Sequence, residues 1–99
     1  MDYFAIVSFD VANSADGRAK AVEEHRQRLV DLDNEGRVLT AGPLPNTDAY
    51  GKVADGMQGS IVIASFDSLD SARQWAKVDP YNAVGVYMET TVYPYKKVF

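Results

Sequence analysis

The order of strand-like and helix-like segments, β-α-β-β-α-β, constrains the fold of this chain more than any other feature of its sequence. Residues 3–9 are rich in aromatic and β-branched side chains and contain neither Gly nor Pro, which predicts a buried first strand. Residues 18–35 follow a helical pattern, and Gly36 supplies a left-handed helix stop directly after them. Residues 37–41 are a predicted second strand, which the turn residues Gly42-Pro43 are expected to end.

The second half of the chain adds two strands and one helix after a stretch rich in structure breakers. Residues 45–57 contain Pro, Asn, Asp and Gly and are predicted to form a loop. Residues 58–66 are the predicted third strand, and Ser68 is the expected N-cap of the second helix. Residues 86–93 alternate as a strand with two faces does, with Val86, Met88, Thr90 and Val92 on one face and Tyr87, Glu89, Thr91 and Tyr93 on the other.

This order predicts an α+β fold in which one domain, residues 1–99, forms a ferredoxin-like βαββαβ sandwich. Two helices would cover one face of a four-stranded antiparallel sheet. The other face is expected to be apolar, because the first and third strands carry apolar side chains on both sides. An exposed apolar face of this size is typical of an interaction surface. We therefore expect a homodimer packed sheet to sheet, which is a dimeric α+β barrel.

Composition narrows the possible functions. The formal net charge is −4 and no run of Lys or Arg occurs, which argues against nucleic-acid binding. The chain has no Cys, so it offers no thiolate nucleophile and no Cys-based metal site. No apolar stretch approaches the ~20 residues that cross a bilayer, and the N-terminus lacks the basic start of a signal peptide. The cytoplasm is the expected location, with no membrane partner.

The only histidine, His25, is the first candidate for chemistry. It shares one predicted helix face with Val22, Leu29 and Leu32, and that face is expected to point into the protein. Histidine exchanges protons near neutral pH, which suits it to general acid-base catalysis. The residue type and spacing alone leave two interpretations of His25 open: a catalytic side chain or a hydrogen-bonded core residue.

Asp79 is the second candidate, and it also has a structural explanation. Asp is a favoured N-cap and Pro is favoured at the next position, so Asp79-Pro80 could start a short turn that ends at Gly85. A carboxylate fixed on such a turn could instead orient an imidazole. The fold puts both helices on one face of the sheet, so contact between His25 and Asp79 is allowed but not required.

Weaker signals come from two further places. Gly42-Pro43 is expected to expose backbone amide and carbonyl groups at a strand end, and Ser60 offers a hydroxyl beside Gly59. The sequence contains no Gly-rich phosphate loop, zinc-ligand cluster or Gly-x-Ser-x-Gly elbow. We expect neither a metal nor another cofactor.

The motifs of this chain identify a family only in combination, because no single motif is specific for it. In chain order they are His25, the segment 36–43, Gly59-Ser60, the segment 66–69 with Ala72 and Trp75, Asp79-Pro80-Tyr81, Gly85-Val86 and the segment 94–99. The set resembles the YciI-like (YCII-related) protein family from the first strand to the last residue. One position departs from the family pattern, because Tyr95 stands where phenylalanine is common.

The resemblance implies a ferredoxin-like fold that dimerises into an α+β barrel, with an active site built on His25 and Asp79. Relatives act on small, often aromatic or carboxylated molecules without a cofactor. The leading hypothesis is therefore a cofactor-independent enzyme for elimination or isomerisation, with Gly42, Pro43, Ser60 and Tyr81 binding substrate. The alternative is a non-catalytic dimeric module that binds a small ligand or assists another protein, in which His25 and Asp79 are a structural pair.

Overall fold

The computed structural model describes residues 1–99 and contains four strands and three helices. In chain order these are β1 (Asp2–Asp10), α1 (Ala15–Asn34), β2 (Val38–Thr47), β3 (Val53–Phe66), α2 (Leu69–Lys77), α3 (Pro80–Ala83) and β4 (Tyr87–Tyr95).

The four strands form one antiparallel sheet in the order β2-β3-β1-β4. This is the ferredoxin-like order, so the predicted fold class is confirmed. The helices cover one face, and the main core between helices and sheet has nine buried residues: Phe4, Ile6, Leu32, Val62, Ala64, Phe66, Ala72, Ala76 and Val92. A smaller buried cluster of Ala21, Tyr81 and Val86 joins α1 to α3 and the start of β4.

Local signals in the sequence set the helix ends. The Ser68 hydroxyl accepts the Ser71 backbone N–H at 3.0 Å, which caps α2 as predicted. Gly36 follows α1 with a φ of 73°, a left-handed conformation that costs glycine little. Helix α1 begins at Ala15, one turn earlier than predicted, after Ser14. None of the helices has the length and apolar character that crossing a bilayer requires.

The predicted loop over residues 45–57 is wrong, because most of it is a long hairpin between β2 and β3. Pro43 and Pro45 are tolerated because β2 lies at the edge of the sheet, where a strand needs hydrogen bonds on one side only. The pairing shifts register around Pro45, and Gly56 on the other strand has a φ of 83°. These irregularities absorb the breaker residues within the strands.

The predicted faces of β4 also need correction at its start. Phe9 pairs with Glu89 but Asp10 pairs with Tyr87, so Met88 is extra and the register shifts. The bulge turns Tyr87 to the helix side of the sheet, away from the face of Glu89 to which strict alternation assigned it.

The face of the sheet opposite the helices is uncovered and largely apolar, as the sequence predicted. Phe9, Tyr93 and Tyr95 are 40%, 54% and 40% exposed, and half-buried Val7 and Ile63 lie on the same face of β1 and β3. Exposed aromatic side chains on one contiguous sheet face are typical of an interaction surface.

Gly59 marks a close approach between strands, and we expect Gly59→Ala to destabilise the fold by ~2 kcal/mol through overpacking. An added Cβ would collide with the Ser8 carbonyl oxygen and lie 3.2 Å from Leu44 Cδ1. Gly42→Ala is the matched control, because a Cβ there meets nothing within 4 Å. Urea unfolding measures both variants, and equal stability of the two would contradict the steric explanation.

Candidate functional site

A cavity of about 620 Å³ opens between α1 and the β2–β3 hairpin. Its lining is mostly apolar, with His25 on one wall and Gly42 and Pro43 on the opposite wall. Val22, which the sequence placed on the inward face of α1, is 42% exposed because it lines this open space. The predicted inward stripe is thus only partly buried.

His25 on α1 contacts Asp79 at the junction of α2 and α3. The imidazole Nδ1 lies 3.0 Å from Asp79 Oδ1 and 2.9 Å from Oδ2. Only 12% of the His25 side chain and 6% of the Asp79 side chain are exposed. Nε2 makes no hydrogen bond within the chain and is not sealed from solvent, so it is the nitrogen available to a bound molecule.

Asp79 is held by the turn that the sequence predicted. Its Oδ1 accepts the Tyr81 backbone N–H at 2.8 Å, and Pro80 occupies the first position of α3. The short helix ends at Val84 and Gly85, whose φ is 72°. The structural and functional explanations of Asp79 therefore do not exclude each other, because the cap fixes the carboxylate that the imidazole contacts.

Tyr81 fixes the plane of the imidazole. Its ring stacks on His25 with centroids 4.0 Å apart and an angle of 17°, and Tyr87 packs edge-on against Tyr81 at 5.6 Å. Tyr81 is buried as a residue, yet it lines the cavity beside His25. Stacking on one side and the carboxylate at Nδ1 leave the ring little rotational freedom.

Arg28 is a second cation beside Asp79. Its Nη1 lies 3.6 Å from Asp79 Oδ2, its Nη2 donates to the Trp75 carbonyl at 2.6 Å, and the guanidinium carbon lies 4.2 Å from the centre of the Trp75 ring. Burial lowers the pKa of Arg28, and the Asp79 carboxylate opposes that shift. Nη1 is buried without a hydrogen bond, so Asp79 is the group that compensates its charge.

Ser60 lies at the floor of the cavity within a fixed polar network. Arg18 Nη2 donates to Ser60 Oγ at 3.0 Å, and the Tyr87 hydroxyl lies 3.0 Å from the same oxygen. Asp10 accepts from Arg18 Nε at 2.6 Å and from Nη2 at 2.9 Å. Burial raises the pKa of Tyr87 to about 12, although its hydrogen bond to Ser60 opposes this, so Tyr87 is a neutral phenol at physiological pH.

Comparison with known proteins assigns the chain to a family. The model of the YCII-related domain matches residues 2–96. The chain belongs to the YCII-related family. The resemblance that the sequence motifs indicated is thereby confirmed.

Two relatives of this YCII-related chain match over nearly their whole length. Protein YciI from Escherichia coli O6:H1 is 47% identical over 96 residues, which cover 97% of this chain and 98% of the relative. An uncharacterised protein from Haemophilus influenzae is 43% identical over 97 residues, which cover 98% and 99%.

A solved structure shares the fold of this YCII-related chain. It is the 5-chloro-2-hydroxyhydroquinone dehydrochlorinase TftG from Burkholderia phenoliruptrix AC1100, in complex with 2,5-dihydroxybenzoquinone. The two structures superpose with a TM-score of 0.81 and 25% sequence identity, and the match covers 95% of this chain and 93% of that one.

The structure brings the predicted site residues of this YCII-related domain around one cavity, with Asp79 reaching it through His25. Gly42 and Pro43 lie within β2 rather than at its end. The sequence analysis did not identify Arg18 and Arg28 as residues of the site, although their spacing from His25 could have indicated it. Arg18 lies two helical turns before His25 and Arg28 three residues after it, so both share its side of α1. No three acidic or histidine side chains cluster in a way that would hold a metal ion.

Proposed function

We propose that this protein is a small-molecule enzyme in which His25 transfers a proton and Asp79 orients it. One observation supports this most directly. The carboxylate holds Nδ1 at 2.9 Å, and Nε2 has no partner in the chain at the edge of a 620 Å³ cavity. A ring used only as core filling has no need of an open face beside an apolar cavity of ligand size.

The proposed chemistry starts from the neutral ring. Asp79 accepts a hydrogen bond from the Nδ1–H group, which leaves the lone pair on Nε2 free to take a proton from a carbon of the bound molecule. The imidazolium that forms lies against a carboxylate, so its charge is stabilised as it appears. Returning the proton to another carbon gives isomerisation, and losing a neighbouring leaving group gives elimination. These steps need only groups of the chain itself.

The cavity supports a small and largely apolar substrate, aromatic or carboxylated. Ala41, Gly42, Pro43, Met57 and Ile61 supply a low, apolar wall opposite His25. The polar lining residues are few: Arg18, His25, Arg26, Ser60 and Tyr81. Apolar walls with a few polar groups at fixed positions are suited to orienting a small planar molecule. The dehydrochlorinase with the same fold holds a dihydroxybenzoquinone, a molecule of this kind.

Hydrogen–deuterium exchange tests the proposal without knowledge of the complete reaction. Small cyclic ketones, hydroxyquinones and 5-chloro-2-hydroxyhydroquinone are incubated with the protein in D₂O, and carbon-bound protons are followed by NMR. We expect at least one compound to lose a C–H proton faster with the protein than with a heat-denatured sample. Exchange equal to the denatured sample across the whole set would contradict an acid-base enzyme for this substrate class.

We also propose that two copies pair through the uncovered sheet face. Its support is the exposed apolar surface of Phe9, Tyr93 and Tyr95. Analytical ultracentrifugation at micromolar concentration is expected to give a dimer. Ile63→Arg on that face should give monomers, whereas Val78→Arg, at a position 66% exposed at the end of α2, should not. A monomeric wild-type protein would contradict the proposal.

A further inference from the structure

The hydroxyl of Ser60 has one hydrogen that no atom of the chain accepts. Its oxygen accepts from the Tyr87 hydroxyl at 3.0 Å and from Arg18 Nη2 at 3.0 Å. Nη2 shares its two hydrogens among Ser60, the Gly59 carbonyl and Asp10, both of the latter at 2.9 Å. A serine oxygen has two lone pairs, so these two donors fill its acceptor capacity. The Ser60 hydrogen must then point elsewhere, and Ser60 lines the cavity beside His25.

Tyr81 supplies a second hydroxyl of the same kind. Its ring is fixed by stacking on His25, and its hydroxyl donates to no acceptor in the chain and is not sealed from the cavity. Arg18 lies against this ring, 5.1 Å from its centre, and an arginine can only donate. Burial raises the pKa of Tyr81 although Arg18 opposes the shift, so the group remains a donor at neutral pH.

The charge of Arg18 is already compensated. Burial lowers its pKa, but the hydrogen bond and charge of Asp10 outweigh burial and leave the pKa of Arg18 raised. The planar fork of its guanidinium, Nε and Nη2, is occupied by the two Asp10 oxygens. A carboxylate ligand therefore finds no free bidentate fork at Arg18, whereas a single acceptor oxygen beside His25 finds two O–H groups.

We propose that Ser60 and Tyr81 form a two-donor site for one carbonyl or phenol-type oxygen of the substrate, next to His25. The proposal rests on the proposed role of His25 as the base. When the C–H bond breaks, its proton passes to Nε2 and the electron pair moves onto this oxygen, which becomes an enolate. The two O–H groups donate to the oxygen most strongly as its charge develops.

Tyr87, Arg18 and Asp10 act as positioning residues for this site. Tyr87 and Arg18 fill the lone pairs of Ser60 Oγ and so direct its hydrogen toward the cavity. Asp10 holds Arg18 and is itself bound by the Ser14 hydroxyl at 2.6 Å. The substrate class is thus narrowed to molecules that can place at the two donors one acceptor oxygen conjugated to the carbon that loses its proton.

Binding of 4-nitrophenol tests the site, because its absorbance distinguishes phenol from phenolate. We expect the wild-type protein to bind the probe as the phenolate at neutral pH. Tyr81→Phe and Ser60→Ala should each weaken binding by about 10-fold, as loss of a hydrogen bond to a charged oxygen does. Tyr81→Phe keeps the ring that stacks on His25, and Tyr50→Phe and Ser71→Ala are the exposed matched controls.

Two further measurements test the positioning role of Tyr87 and the preference of the site for a single oxygen over a carboxylate. Tyr87→Phe should shift the absorption maximum of the bound phenolate, because Ser60 is then free to turn away. The carboxylate probe 4-nitrobenzoate, with the same ring and nitro group, should bind at least about 10-fold more weakly than 4-nitrophenol, since Arg18 offers it no free fork. Equal affinity for the two probes, or unchanged phenol affinity in both donor variants, would overturn the two-donor site.

The same measurements distinguish failure of this site from failure of the proposed function. If His25→Gln abolishes proton exchange but the donor variants bind 4-nitrophenol as the wild type does, only the two-donor site is wrong. If the His25→Gln variant catalyses proton exchange as the wild type does while the donor variants no longer bind 4-nitrophenol, His25 is not the base. The two-donor site is then supported on its own.

Discussion

Replacing His25 by glutamine is expected to lower proton exchange on a responsive substrate by about 10²–10⁴-fold, the usual worth of a positioned general base. Glutamine keeps a polar side chain of similar reach that can still hydrogen-bond Asp79, but it cannot take a proton. Because His25 contacts Asp79 and Tyr81 but lies outside the main hydrophobic core, the fold should survive the change.

The measurement is the initial exchange rate by NMR, with circular dichroism and sedimentation as checks on fold and assembly. Glu24→Gln is the matched control, since Glu24 is an exposed neighbour on the same helix. Full activity in His25→Gln would exclude His25 as the proton-transfer group and favour a ligand-binding module. Loss of activity in both variants would point to a general defect of α1.

Asp79 is expected to show the second large effect, and two substitutions separate its two roles. Asp79→Asn keeps an oxygen that can accept the Tyr81 N–H, so α3 stays capped. The amide can donate to Nδ1, which would move the ring proton to Nε2 and block the base. We expect exchange to fall by at least about 10²-fold, with a smaller loss of stability than alanine causes at the same position.

Asp79→Ala is expected to lower the free energy of unfolding by about 3 kcal/mol. Both variants leave Arg28, whose Nη1 is buried, without a compensating charge, but only alanine also removes the cap of α3. Urea unfolding compares the two variants, with Asp70→Ala as the control at a fully solvated carboxylate. Equal stability of the Asn and Ala variants would contradict the capping role given to Asp79.

The tautomer of the ring can be observed directly, because His25 is the only histidine. Long-range ¹H–¹⁵N NMR should show the proton on Nδ1 in the wild-type protein and on Nε2 in Asp79→Asn. A wild-type ring protonated on Nε2 at neutral pH would mean that Asp79 does not prepare the imidazole as a base.

Sequence periodicity was enough for the element order, and the sheet order followed from it. Strands β1 and β3 could be recognised because their apolar β-branched residues are continuous. The β2–β3 hairpin could not, because its prolines and glycines have breaker propensities that the edge position and register shifts accommodate. The β4 bulge was invisible for a related reason, since one extra residue, Met88, changes the face of Tyr87 without changing composition.

The pairing of His25 with Asp79 was reachable from the sequence because Asp79-Pro80 fixes a local turn and the fold brings two helices together. The arginines were not recognised, because charged residues on a helix usually point to water. Arg18 and Arg28 instead extend inward to buried carboxylates on other elements, Asp10 on β1 and Asp79 before α3. Such pairing depends on tertiary distances, which periodicity does not contain.

The prolines of β2 have a consequence for how this sheet can grow. Pro43 and Pro45 lie on an outer strand and lack the N–H groups that an added strand would need from them. Lateral recruitment of another chain, the first step toward fibrils, is therefore discouraged along this border. The prolines therefore limit strand addition at the β2 edge of the sheet, while the apolar face of the same sheet stays free to contact another surface.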